Sequence, residues 1–173
     1  MINSIKEITV GTGGDFQTIQ EAAQEARKYS SVIRIKLISN ISISENIQLI
    51  RFDLKHVRLD FNNFKIVNST SSALAFILNS CFFSDIVNLN LENVCLIVTL
   101  NSSVFLGGSV NINCENVDSD CIRADYSSNV CIREQTVCNM KHVTGRASLN
   151  SLRGSSISIG SRGTINDSSS SGN

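Results

Sequence analysis

"SVNINCENVDSD", residues 109–120, sets Val110, Ile112 and Cys114 at alternate positions, follows them with Glu115 and Asn116, and resumes with Val117. Alternation with a period of two belongs to a half-buried strand, whose successive side chains face opposite ways. Two polar residues then turn the chain, and the apolar residue after them starts another strand. Asn suits such a corner because it tolerates left-handed backbone angles and its amide bonds neighbouring backbone groups.

The phrase recurs along the chain. With Val110 as position zero, "VRLDFNNF" from Val57, "VNLNLENV" from Val87 and "VCIREQTV" from Val130 fit the same frame. "IRIKLISNI" from Ile33 and "ISIGSRGTI" from Ile157 fit it with one extra residue. Copies starting at 33, 57, 87, 110, 130 and 157 are what a solenoid produces when its strands and corners are fixed and its loops vary in length. A sandwich or propeller would return antiparallel through tight hairpins, yet Asn-Gly and Asp-Gly are absent. The reading is an all-β chain, a right-handed parallel β-helix of about six rungs over residues 31–166. Stacking at about 4.8 Å would bring Asn63, Asn93 and Asn116 into an amide ladder at the corner.

Residues 10–30, "VGTGGDFQTIQEAAQEARKYS", break the pattern. Gly13 and Gly14 end a first strand, Asp15 or Thr18 can cap a helix, and Thr18 with Glu21 has capping-box spacing. Ile19, Ala22, Ala23 and Ala26 then share one helical face. A strand and a capping helix are therefore predicted over 1–30, covering the open end of the coil. The chain closes on "NDSSSSGN", read as a flexible tail over 167–173, which leaves Ile157, Ile159 and Ile165 on an uncovered last rung.

Composition narrows the function. Lys and Arg together number 15, as do Asp and Glu, and no basic block appears, so nucleic acid is not an expected partner. The apolar runs are far shorter than a membrane span requires, and no signal-peptide pattern opens the chain. The six cysteines match no zinc spacing and read as reduced, space-filling thiols. Neither a cofactor motif nor a full metal-ligand set is legible. Cys95, Cys138 and Cys131 fall at outward indices of the frame, which suggests a face buried against another chain.

With these residues in place, "GTGGDFQTIQEAAQEA" leading into rungs resembles the opening segment of pectin-lyase-like right-handed β-helix proteins, including pectinesterases and bacteriophage tailspikes. The Ser- and Asn-rich rungs, such as "RADYSSNVCI" and "SLRGSSISIGSRGTIND", look most like phage tail-fibre and tailspike sequence. The resemblance implies a homotrimer on the virion tail, assembled in the host cytoplasm, that binds host surface polysaccharide. It leaves two alternatives, a polysaccharide depolymerase of the same fold or a purely structural stalk. Enzymatic tailspikes carry many more rungs and a trimerising tail, and the pectinesterase catalytic set maps onto no positions here.

Glycosidase chemistry needs two carboxyl groups about 5–9.5 Å apart. Glu92 and Glu115 share index +5 on successive copies, so the frame stacks them, and Glu134 stands at an index that is apolar elsewhere (Phe61, Leu91, Cys114). These three are the candidate catalytic residues. "DSDCIRADYSSNVCIRE" gathers Asp118, Asp120, Arg123, Asp125, Tyr126 and Arg133, whose forks, carboxylates and ring suit sugar hydroxyls and faces. These six are the candidate carbohydrate-binding residues. Aromatics make up 6% and Trp is absent, which favours recognition or a stalk over a deep catalytic groove.

Overall fold

A computed structural model describes residues 5–143 and 146–170. The chain opens with β1 (Lys6–Val10), α1 (Ile19–Ala26), β2 (Ile33–Leu37), β3 (Ile41–Ile43) and β4 (Ile47–Ile50). It continues through β5 (Asp53–Asp60), β6 (Ile66–Asn68), β7 (Leu74–Asn79), β8 (Phe82–Val87), β9 (Asn90–Glu92) and β10 (Val94–Thr99). Next come β11 (Ser103–Gly107), β12 (Ser109–Asn113), β13 (Ile122–Ala124) and β14 (Asn129–Ile132). The last four are β15 (Val137–Val143), β16 (Leu149–Ser151), β17 (Ser156–Ile159) and β18 (Thr164–Ser170).

Every strand pairing between these elements is parallel, and the strands fall into three sheets. Sheet 1 runs β1-β2-β5-β8-β11-β14-β17, sheet 2 runs β3-β6-β9-β12-β15-β18, and sheet 3 runs β4-β7-β10-β13-β16. From β2 onward the chain visits the three sheets in rotation, so the molecule is a parallel β-solenoid of about six turns. Alternating residues explain the core. In β2 the pattern buries Ile33, Ile35 and Leu37 while Arg34 and Lys36 face out, and Val57 and Leu59 stack directly on Ile33 and Ile35. Full burial of each such side chain contributes roughly 1.5–3 kcal/mol.

The amino-terminal strand and helix form as predicted. The Thr18 hydroxyl accepts from the Glu21 amide at 3.2 Å, and the Glu21 carboxylate accepts from the Thr18 amide at 3.1 Å, closing the capping box. Ile19, Ala22, Ala23 and Ala26 are buried against β1, β2, β4 and β5. α1 thus covers the first turn of the core.

Several sequence expectations need correction. The six-copy frame merges two different corners. Ile33, Val57, Val130 and Ile157 do lie in sheet 1, ahead of its corner with sheet 2. Val87 ends β8, where it opposes Asp60, and Val110 lies in sheet 2, so those two copies lead into the later corner between sheets 2 and 3. Both corners follow a strand with polar residues, and both use left-handed Asn: Asn62, Asn63 and Asn88 at one, Asn93 at the other. A strand–polar pair–strand frame therefore cannot tell them apart.

The predicted ladder of Asn63, Asn93 and Asn116 is not formed. Asn93 donates its backbone amide to Asn113, and its side-chain oxygen is buried without a partner. An amide ladder exists instead on the outer face of sheet 2. Asn139 donates to Asn111 at 2.8 Å, and Asn166 donates to Asn139 at 2.8 Å, with Asn90 in register below them. The flexible tail expected from residue 167 is strand through Ser170, because Asp167, Ser168, Ser169 and Ser170 pair with Met140, Lys141, His142 and Val143; residues 171–173 lie outside the described residues.

Cys95 and Cys138 present no apolar face to another chain: both are buried within this one, Cys95 between the inward Val94 and Leu96 of β10 and Cys138 in the core. Of the six free cysteines only Cys131 is partly exposed, on sheet 1. Burial pushes the Cys138 thiol up to about 11, so it stays protonated and acts as a small apolar filler.

The corner from sheet 3 to sheet 1 carries a second polar stack, made of hydroxyls. The amide of Cys81 donates to Ser102 Oγ at 2.8 Å, that of Ser102 to Ser128 Oγ at 3.1 Å, and that of Ser128 to Ser155 Oγ at 3.0 Å. Ser102 and Ser128 are fully buried, so each hydroxyl satisfies a backbone donor that the turning chain would otherwise orphan.

Candidate functional site

Immediately outside this serine stack, the chain makes two-residue left-handed corners. Leu100 and Asn101 have φ of 54° and 60°, Tyr126 and Ser127 of 51° and 58°, and Arg153 and Gly154 of 49° and 75°. Left-handed geometry at a large residue costs roughly 1–2 kcal/mol, and a local compensation is visible at Tyr126. Its amide donates to Asp125 Oδ1 at 2.9 Å, holding the backbone in the turn.

Asp125 organises the surface around it. Its side chain is 4% exposed and accepts from Arg123 Nη2 at 2.8 Å and from Arg153 Nη1 at 2.9 Å. Burial pushes this carboxyl up, but the Arg123 hydrogen bond, the Tyr126 amide and the charges of Arg153 and Arg123 outweigh it and hold the group below the usual carboxylate range. The Arg153 guanidinium also lies 4.4 Å from the centroid of the Tyr126 ring, which remains 46% exposed. A buried anion, two cations and an outward aromatic ring thus form one rigid platform.

Asp118 and Asp120 sit beside β13, in the loop that leads into it. Arg146 holds Asp118 through Nε at 2.5 Å and Nη2 at 2.6 Å, and keeps its carboxyl below the ordinary range. Asp120 accepts from the Ala147 amide at 2.9 Å and from Asn150 Nδ2 at 2.7 Å. Asn150 is the register partner of Arg123, which links this loop to the platform.

Five of the six predicted carbohydrate-binding residues therefore lie on or beside sheet 3. Arg133 does not. It stands at the corner after β14, donates from Nε to Asp85 at 3.1 Å and from Nη2 to the Ser84 carbonyl at 3.3 Å, and lies 4.8 Å from the Phe105 ring centroid. Arg153 is the platform residue that sequence reading missed. A signal existed: Leu100-Asn101-Ser102, Tyr126-Ser127-Ser128 and Arg153-Gly154-Ser155 place an outward residue two positions ahead of each stacked serine.

The candidate catalytic residues are separated. Glu92 opposes Asn113 in the sheet 2 register, so it shares no column with Glu115. Lys65 pairs with Glu92, and Lys141 Nζ lies 4.0 Å from Glu115. Glu134 is not at an inward index, because β14 ends at Ile132 and the next residues form an exposed turn. Among the described residues, no group of three or more His, Cys, Asp or Glu side chains is placed to hold a metal ion.

The geometry defines a parallel β-solenoid that presents preorganised donors, acceptors and the exposed rings of Tyr126 and Phe105 on its outside. No protein-family model, curated protein or solved structure matches the chain.

Proposed function

We propose that this chain is the glycan-recognising part of a bacteriophage tail fibre or tailspike, which engages host surface polysaccharide as a homotrimer. A parallel β-helix is compatible with a tail-fibre or polysaccharide-binding module, and the opening segment and Ser/Asn-rich rungs resemble that class. The observation that carries the reading is the Tyr126 ring, exposed in a left-handed turn and fixed by Asp125 and Arg153. An aromatic face packs on the C–H face of a sugar, while charged forks and amides bond its hydroxyls. The carboxylates here are spent on cations and amides, which suits holding a chain rather than cutting it.

Affinity electrophoresis in gels containing capsular polysaccharide or lipopolysaccharide from candidate hosts tests this. The wild-type chain is retarded, the glycan keeps its size, and Tyr126→Ala weakens retention at least about tenfold, or about 1.4 kcal/mol. Sedimentation gives a particle three times the 18.8 kDa chain. Shortened oligosaccharides would make the protein a depolymerase, and absence of retention by every glycan would leave the stalk.

A further inference from the structure

On the outer face of sheet 1 a column of charges runs Glu7, Arg34, Arg58, Asp85 across β1, β2, β5 and β8. Two guanidinium groups on adjacent strands repel, and neighbouring strands bring them within about 4.8 Å at the backbone. Arg34 is neutralised: its Nη2 meets Asp60 at 2.5 Å, and Nη1 lies 3.8 Å from Glu7. Arg58 makes no ion pair among the described residues, although Asp85 is its register partner. Arg133, arriving from a later turn across the Phe105 ring, already holds Asp85 at 3.1 Å.

The exposed Arg58 therefore stands in a groove of about 360 Å³, lined also by Ile5, Glu7, Val32, Arg34, Ser84 and Asp85. That volume is at the lower end of small-ligand sites, roughly 300–1,000 Å³. Ile5 and Val32 are exposed at 61% and 57% and make an apolar wall. Glu7, Asp85 and Ser84 supply acceptors for hydroxyl donors. Arg34, Lys36, Arg58 and Arg133 stand against Glu7, Asp60 and Asp85, which leaves one positive charge over: one carboxylate on the fork of Arg58 balances it, and a dianion would overshoot it.

We infer that this groove is a second, separate binding site, which takes a hydroxylated unit bearing a single carboxylate, an acidic sugar residue, on the guanidinium of Arg58 with its apolar face against Ile5 and Val32. The site rests on the glycan-recognition reading but lies on a different sheet from the Tyr126 platform. Arg133 acts through Asp85 as a positioning residue that keeps Arg58 open.

Calorimetric titration with a glucuronate-containing oligosaccharide, its carboxyl-reduced neutral counterpart and sodium sulfate tests the assignment. The wild type binds the acidic form at least about tenfold more tightly than the neutral one, and sulfate does not compete. Arg58→Gln removes that preference with an unchanged melting temperature, and Arg133→Gln weakens acid binding because Asp85 turns to Arg58. Equal binding of both forms, a preference that survives Arg58→Gln, or full competition by sulfate would overturn it. Loss of acid preference as the only defect would leave the platform intact. If neither oligosaccharide binds and Tyr126→Ala also changes nothing on any glycan, both the site and the recognition reading fall.

Discussion

Asp125 and Asp60 show how single buried carboxylates hold the outside of the coil in place. Asp60 accepts from Arg34, from the Asn62 amide at 2.9 Å and from Asn88 Nδ2 at 3.3 Å. Burial pushes the Asp60 carboxyl up, but these partners together outweigh it and bring it below the ordinary range, as at Asp125. A carboxyl lowered in the folded state stabilises the fold above its unfolded value, near 3.9, and loses that contribution as pH falls through the folded value. Acid therefore destabilises the protein in the window below about pH 4. Asp125→Asn is expected to cost about 1.5–2 kcal/mol at neutral pH, the low end for charged hydrogen bonds because both arginines stay partly in water. It also flattens the acid limb in chemical denaturation followed from pH 2 to 7. An acid limb unchanged in Asp125→Asn and Asp60→Asn would show that these pairs contribute nothing to it.

At the scale of the element, the corners decide what is legible. Strand positions follow from alternation of apolar residues, and this is why β2, β5, β12 and β14 can be found in the sequence. The capping box of α1 is local, so Thr18 and Glu21 are equally readable. Register is not local. Leu91 stacks on Ile112 rather than on Cys114 because the loops between turns absorb different numbers of residues, and the supposed column of Glu92 and Glu115 disappears with that shift of two. The ladder of Asn111, Asn139 and Asn166 shows in the sequence only as an Asn after an apolar residue (Val110, Cys138, Ile165), a weaker signal than an Asn at a turn. The serine stack tests the corner itself. Ser128→Ala leaves the buried Ser102 amide without its acceptor and is predicted to cost about 1–3 kcal/mol in urea denaturation. A loss of only a few tenths would mean that the stack is incidental. Gly108 marks the limit of tolerance at the neighbouring corner: its φ is +72°, and a Cβ would meet Asn88 Oδ1 at 2.5 Å.

For the whole molecule, one end is covered by α1, while the last described turn exposes Ile159 at 47% and Leu152 at 37%. The three outer faces divide the surface by chemistry: a charged groove on sheet 1, an amide ladder on sheet 2 and the tyrosine platform beside sheet 3. Three of the four platform residues were visible in advance, because Arg123, Asp125 and Tyr126 are close in the chain. Arg153 and the isolation of Arg133 depend on which residues lie one turn apart, and only the register supplies that. All of these assignments rest on parallel stacking. Glu7, Asp85 and Cys131 lie outward on β1, β8 and β14, which are the first, fourth and sixth strands of sheet 1. Spin labels placed at Glu7 with Asp85 and at Glu7 with Cys131, read by pulsed electron resonance, measure the stacking directly. Parallel stacking sets the backbones about 14 Å and about 24 Å apart, growing by about 4.8 Å per strand; equal separations, or a second one shorter than the first, would refute it.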